Sequence, residues 1–379
     1  MEILTSLETE IRVLEMETEY QGHYYRVSHV LIILVCGLLC GLQKTDDIYE
    51  WSESAPARGL IKEYFGVVSY PCRAQFYNIL GTVDAKKFNA MFIQWMSGIL
   101  KNESKGKTIS LDGKEVRSVR KLNNNKGLNI VSAVIAETNI IVGSAFCEDK
   151  KGEVTAFREL INLLDVTGAV IVADALHCKK KSAEIVIDAG ADYLFVVKDN
   201  EPTLKAEIEE IIHTCNIDSV SVTEKNGGRN ETRTAYSTTD ISLVTEGEKW
   251  ANLASVGAIH RSFESKGAVS DEWHYYISSA ELQPDELLHH ARMEWRVESM
   301  HWLLDVHYNE DKCGMWDLNT QKLMNIGRKI ALNLARIFKE NCCKPRTAIS
   351  TVLKRNLYDT SQLAGFLDYF IENPIITSS

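Results

Sequence analysis

With 379 residues, 45% of them hydrophobic and 25% charged, the chain can bury a sizeable core, has room for two domains and has the make-up of an ordinary soluble globular protein. Nine cysteines without a Cys-x-x-Cys pair exclude a disulfide framework and a zinc-ligand spacing, and point to a reducing cytosol. A net charge of −10 argues against nucleic acid as a partner, because such binding depends on neutralising phosphates; the local charge distribution softens that objection.

The first 100 residues read as helical. Residues 30–42 are apolar throughout, apart from small Cys and Gly. They fall short of the roughly 20 residues a membrane-spanning helix needs. Glu2, Glu8 and Glu10 ahead of them do not suit a signal peptide. The run is expected as a buried helix with no membrane partner. Pro71 opens a further helix carrying Phe76, Ile79 and Leu80, and residues 85–100 hold Phe88, Met91, Phe92, Trp95 and Ile99 at helical spacing. Residues 101–107 form a polar, Gly-containing linker, the expected domain boundary. This divides the chain into a helical N-terminal domain (1–100), a main domain (107–340) and a helical tail (341–379).

Beyond the linker the pattern changes. Strands are expected at 109–112, 128–136 and 140–147, the last two joined by Glu137-Thr138-Asn139 as in an antiparallel meander. A helix (156–164), a strand (169–174), a helix (180–189) and a strand (192–197) follow. Short all-apolar strands alternating with helices imply parallel pairing, covered on both faces. Three meandering strands and then two parallel ones give a ribonuclease-H-like order. It puts Asp174 at the carboxyl end of a strand, where open sheets present their chemistry. Strand-like runs at 220–223, 232–237, 255–260 and 273–279, with a tight turn at Asn226-Gly227-Gly228-Arg229, mark a β-rich insertion. From Pro284 the chain reads as helical to its end, beginning with one long helix over 284–311.

Three acids stand out along this layout. Asp112 closes the 109–112 run just before Gly113 and Lys114, Asp174 closes an apolar run of five residues, and Glu298 lies on the 284–311 helix. There Met293, Val297, Met300 and Leu304 form an apolar stripe, beside a polar one of Glu294, Glu298, His301 and Asp305. Each acid has an ordinary reading: an Asp before Gly forms turns, and a helical Glu is commonly a solvated ion-pair partner. Asp174 is harder to explain so, since a partly buried acid requires a partner or a metal. Carboxylates converging at one sheet edge repel each other, and hard divalent cations are the usual remedy and the machinery of phosphodiester cleavage. Asp305 competes with Glu298 for the third place, with Asp311 behind it. His177-Cys178 lacks the second cysteine pair of a zinc deaminase. Ten Lys or Arg between Lys312 and Arg355 stand against Asp317 and Glu340, and eight between Lys101 and Lys126 against Glu103, Asp112 and Glu115. These basic runs are either solvated faces or phosphate contacts.

The same residues carry a resemblance. Leu111-Asp112-Gly113-Lys114 with Arg117, Val172-Ala173-Asp174-Ala175 with Cys178, and Tyr193-Leu-Phe-Val-Val-Lys198-Asp199-Asn200 resemble the core of the DDE insertion-sequence transposases. Trp295-Arg-Val-Glu298-Ser-Met-His301-Trp302-Leu-Leu-Asp305, then Asn309-Glu310-Asp311, is similar to the third-carboxylate helix of the group named after the H-repeat-associated protein. His29-Val-Leu and Ile48-Tyr-Glu-Trp51 resemble the small associated domain of that group, and the likeness extends through most of the chain.

The resemblance implies a ribonuclease-H-like mixed sheet with a β-rich insertion, and a metal-dependent transposase that cuts DNA at the ends of its element and joins them to a target. It assigns Asp112, Asp174 and Glu298 to catalysis and to binding two Mg²⁺ or Mn²⁺ ions. Lys114, Arg117, Lys198, Asn200, Arg229 and Arg233 are the candidates for contact with double-stranded DNA, Lys198 foremost because it follows an apolar strand. A homo-oligomer on paired DNA ends, acting in the bacterial cytoplasm, is the expected assembly. Glu294 and Gly227 stand where the group's pattern has histidines, and Met315-Trp316 where it has basic residues. A catalytically silent DNA-binding descendant and a nuclease without strand transfer are the alternatives.

Overall fold

The computed structural model describes residues 3–18, 24–99, 105–120, 127–147, 150–226, 229–265 and 268–373. Six helices come first: α1 (Ile3–Met16), α2 (Val27–Leu39), α3 (Thr45–Ser52), α4 (Ala55–Phe65), α5 (Arg73–Thr82) and α6 (Ala85–Ile99). The apolar run 30–42 is α2 with its exit, and nearly every residue of α2 is buried. A helix apolar all round has to be enclosed by other elements, and α1, α3 and α5 supply part of that enclosure. Among the described residues, no helix is long and apolar enough to cross a membrane. Residues 101–104 of the expected linker lie outside the described residues.

Strands β1 (Thr108–Val116), β2 (Leu128–Ile135) and β3 (Ile140–Cys147) form the expected antiparallel meander. Helix α7 (Glu153–Leu163) leads to β4 (Val170–Ala173), and α8 (Lys180–Asp188) leads to β5 (Asp192–Val197). β4 lies parallel to both β1 and β5. Alternate residues of these central strands point to opposite faces. Ile171, Ala173, Tyr193 and Phe195 meet Phe157 and Leu160 of α7 and Ala183 and Val186 of α8 in one apolar cluster. Val170, Val172, Leu194 and Val196 join a second cluster on the other face.

After α9 (Pro202–Thr214) come β6 (Asp218–Asn226), β7 (Arg229–Thr238), β8 (Ser255–Ser265) and β9 (Ala268–Ser278). The insertion does not make a sheet of its own. β9 pairs antiparallel with β5, giving one nine-stranded sheet in the order β3-β2-β1-β4-β5-β9-β8-β7-β6. The first five strands of that order are the ribonuclease-H-like core. Residues 227 and 228 of the expected tight turn lie outside the described residues; Asn226 and Arg229 on either side of them are paired.

Two expectations are corrected by this geometry. Asp112 does not end its strand, because β1 continues to Val116 and Asp112 pairs with Ser132 of β2. What ends at Asp112 is the parallel pairing with β4, whose last register pair is Leu111 with Ala173. The long helix over 284–311 is two helices, α10 (Pro284–Met293) and α11 (Arg296–Tyr308), with a corner at Glu294 and Trp295. Ser110 of β1 donates its hydroxyl to the Met293 carbonyl at 2.7 Å, and the Glu294 N–H bonds to Ala291 at 3.3 Å. A helical carbonyl engaged by the sheet, with a tightened last turn before it, ends the i→i−4 ladder.

Helix α10 lays Leu287, Leu288 and Ala291 on the second cluster of the sheet. Its approach needs Gly257 in β8. An added Cβ there would stand 2.5 Å from the Tyr236 carbonyl oxygen and 2.6 Å from Leu287 Cδ2. The backbone oxygen cannot give way as a side chain would, so Gly257→Ala is expected to cost about 1–3 kcal/mol by overpacking. A shift in the urea unfolding midpoint measures it, and an unchanged midpoint refutes the close approach.

Three more helices complete the chain: α12 (Leu318–Cys342), α13 (Ile349–Tyr358) and α14 (Thr360–Glu372). Asp317 caps α12 by accepting from the Thr320 N–H at 2.9 Å. α12 is enclosed by α2, α5, α6, α13 and β3. Arg328, Lys329 and Arg336 are therefore interior, so the basic run of Lys312 to Arg355 is not one solvated or DNA-facing surface. One apolar cluster reaches from Ile3 of α1 to Phe370 of α14, so the N-terminal helices, the sheet and the C-terminal helices share a core.

Candidate active site

Asp112 of β1, Asp174 directly after β4, Glu294 at the helix corner and Glu298 in the first turn of α11 line one cleft of ≈ 790 Å³. The parallel pairing of β1 and β4 brings the first two together, and the corner turns the other two toward them. Asp174 Oδ1 accepts the Leu176 N–H at 3.0 Å, which closes a turn around the acid. Burial pushes the Asp112 carboxyl up to about 6, against a hydrogen bond from the Gly113 N–H and with Asp174, Glu153 and Glu298 adding repulsion. Burial likewise pushes Glu294 up to about 7, with Asp174 adding to it and Lys198 opposing.

An all-oxygen set of mutually repelling carboxylates suits a hard divalent cation in charge and in donor type. Among the described residues, no three His, Cys, Asp or Glu close on a single point as a finished metal site would. Burial and mutual repulsion of these carboxylates set a pH dependence. Asp112 and Glu294 both bind protons more tightly in the fold than in the unfolded chain. Their stabilising contribution is therefore complete at acidic pH and is lost as pH rises through about 6 and about 7. In EDTA at neutral pH, Glu294→Gln is expected to be more stable than the native chain by on the order of 1–3 kcal/mol, and Mg²⁺ should narrow that gap. Thermal unfolding at acidic and neutral pH, with and without Mg²⁺, checks this; a less stable variant at neutral pH contradicts it.

The six residues expected to meet DNA fare differently. Lys198 lines the cleft after β5, exposed and without an ion pair among the described residues. Asn200 is occupied in the protein: its side chain accepts the Lys198 N–H and donates to the carbonyls of Ala175 at 2.8 Å and Cys178 at 3.4 Å. It thus ties the loop after β5 to the loop that carries Asp174. Lys114 is held by Asp305 at 2.7 Å, Glu310 at 3.3 Å and Asp311 at 3.8 Å. That pairing occupies the Lys114 ammonium and holds Asp305 and Asp311 on it, whereas Glu298 lines the cleft. Arg233 lines the cleft but is paired with Glu224 and Glu231, and Glu224 also binds Arg292. Arg117 is exposed beyond β1. The Arg229 side chain lies outside the described residues.

Behind the cleft, Glu310 is buried among Lys114, Arg328, Lys329 and Asn325, whose amide donates to it at 2.7 Å. Burial works to raise Glu310, and these partners overcome it and hold the carboxyl below its usual range. Lys329 donates to Ser132 at 2.9 Å and Ser144 at 2.6 Å, and burial pushes its ammonium down to about 7. His301 is pushed down to about 3 by burial, with Lys114 adding to the effect, so it is a neutral imidazole.

Glu153 was not anticipated as a site residue. It opens α7 and is buried beside Asp112, on the same helix face as Ala156, Phe157, Leu160 and Ile161. An acid in phase with an apolar stripe is the signal that could have found it.

The five-stranded core defines a ribonuclease-H-like fold, and its cleft is lined by the carboxylates of Asp112, Asp174, Glu294 and Glu298. The family model described as Transposase DDE domain matches residues 103–334, and one described as DDE_Tnp_1-associated matches residues 17–96. The chain belongs to this DDE transposase family, among the H repeat-associated proteins. It is 30% identical over 358 residues to the H repeat-associated putative transposase YhhI of Escherichia coli (strain K12), covering 90% of this chain and 93% of that one. It is 30% identical over 329 residues to the putative transposase YncI of Escherichia coli O157:H7, covering 83% of each. Among solved structures, a piggyBac transposase synaptic complex with hairpin DNA matches 99% of this chain and 83% of that one, with TM-score 0.46 and 12% identity.

Proposed function

We propose that the chain is a transposase that cuts double-stranded DNA at the ends of its own element and joins the freed ends to target DNA. The observation that carries this reading is the placement of Asp112, Asp174 and Glu298, from three separate elements, on one cleft beside Lys198, which has no ion pair among the described residues. Asp112, Asp174 and Glu298 would together hold the divalent ions. Mg²⁺ or Mn²⁺ bound there supplies Lewis-acid activation of a water or a DNA 3′-hydroxyl and stabilises the leaving oxygen. Lys198 steadies a phosphate at the rim, and Asn200 keeps the Asp174 loop in register with it. The chain would act in the bacterial cytoplasm as a homo-oligomer on paired ends. The flanking segments 1–100 and 341–379 are the candidates for recognising the ends.

Labelled DNA carrying the element's ends, incubated with the full chain and Mn²⁺, tests the proposal. Nicked and joined products support it. Nicking without joining points to a nuclease, and binding without either points to a silent descendant; both outcomes overturn it.

A further inference from the structure

Glu153 holds a position that a surface acid does not. Its carboxylate lies directly over Gly113, the residue after Asp112, where a Cβ on that residue would overlap it. The glycine therefore makes a cradle in β1 through which a helix-borne acid reaches the strand beside Asp112. On its other side is His177, fully buried and stacked on Phe157 at 4.4 Å between ring centroids. Neither ring nitrogen of His177 has a hydrogen-bond partner among the described residues. Its Nε2 stands 3.5 Å from Glu153 Oε1 and 3.9 Å from Asp174 Oδ1. No Lys or Arg is paired with Glu153 among the described residues. A buried acid with no matching cation, and a buried imidazole facing two carboxylates without a hydrogen bond, are arrangements that proteins avoid unless another group completes them.

We propose that Glu153 is a fourth carboxylate of the divalent-ion site, seated in the Gly113 cradle so that it contacts an ion held by Asp112. His177 is a positioning residue whose buried ring limits where the Glu153 and Asp174 carboxylates can go. The inference rests on the divalent-ion reading of the cleft and adds a ligand to it. Glu153 arrives from the first helix after the meander, on the side of the sheet opposite α10. Glu153 would thus add a donor from the α7 side of the sheet to those that Asp112, Asp174 and Glu298 bring from the cleft. Oxygen donors from both sides match the six or more ligands that hard cations take.

Calorimetric titration of the full chain with MnCl₂, paired with thermal unfolding in EDTA and in Mn²⁺, tests this. Glu153→Gln is expected to bind Mn²⁺ at least tenfold more weakly while unfolding at a higher temperature in EDTA, because an uncompensated buried charge has gone. An acid serving only the fold would give the reverse: a lower unfolding temperature in EDTA and unchanged Mn²⁺ affinity. That result overturns the proposal. Glu153→Asp, which keeps the charge but withdraws it by one methylene, is the second variant should the first not fold, and affinity equal to the native chain would again overturn it. If the native chain binds no Mn²⁺, the divalent-ion reading itself fails. If it binds and both variants bind equally well, only the role of Glu153 fails.

Discussion

Asp174→Asn is expected to lower Mn²⁺-dependent cleavage of end-bearing DNA by about a thousandfold, roughly 4 kcal/mol of barrier, the size of a lost charge contact to a catalytic cation. The fold should be untouched. The Asp174 side chain is 46% exposed, and its hydrogen bond, accepted from the Leu176 N–H, can be kept by an amide oxygen. Binding of DNA should persist, because the substitution removes a negative charge from the cleft. Asp305→Asn makes the matched control. Asp305 is held by Lys114, so its loss should change cleavage only a few-fold. Equal losses in the two variants would show that the metal-binding acids have been wrongly chosen.

Glu310→Ala is expected to destabilise the protein by roughly 3–5 kcal/mol, the cost of removing one partner from a buried charge cluster. Glu310 is 1% exposed and faces Lys114, Arg328 and Lys329, which would be left with no buried counter-charge behind the cleft. Lys114 follows Asp112 by two residues in β1, so disorder there should reach the site as well. Urea unfolding measures the loss, and a change below about 1 kcal/mol would mean that water or rearrangement satisfies the cations. Glu310→Gln should cost less, since its amide oxygen can still accept from Asn325.

Much of the main-domain layout was legible because it is written locally. Residues 140–147 and 192–197 read as strands, and these are β3 and β5 to the residue. Their apolar runs are short, β-branched and bounded by turn residues. The strand and helix alternation also anticipated the ribonuclease-H-like order, since a parallel pair joined by a helix has few ways to pack. The place of Asp174 beside the cleft was legible for a related reason. An Asp after an apolar strand carries a cost that only a partner can offset, and the cost shows in the chain itself.

What could not be read there depends on partners distant in the chain. The helix corner before Glu298 involves the Ser110 hydroxyl, 183 residues away from the carbonyl it engages. Lys114 was expected at a phosphate, but Asp305, 191 residues on, holds it. Arg328, Lys329 and Arg336 are interior because α12 is enclosed, and a run of lysines and arginines does not say which of them faces inward. Glu153 reaches Asp112 only because Gly113 leaves room for its carboxylate. The sequence by itself determined most of the strands and helices and the acid that follows β4, Asp174, through periodicity and desolvation cost. The tertiary structure alone decided which charges neutralise one another, because a Coulomb interaction follows separation in space and local dielectric, and neither is set by distance along the chain.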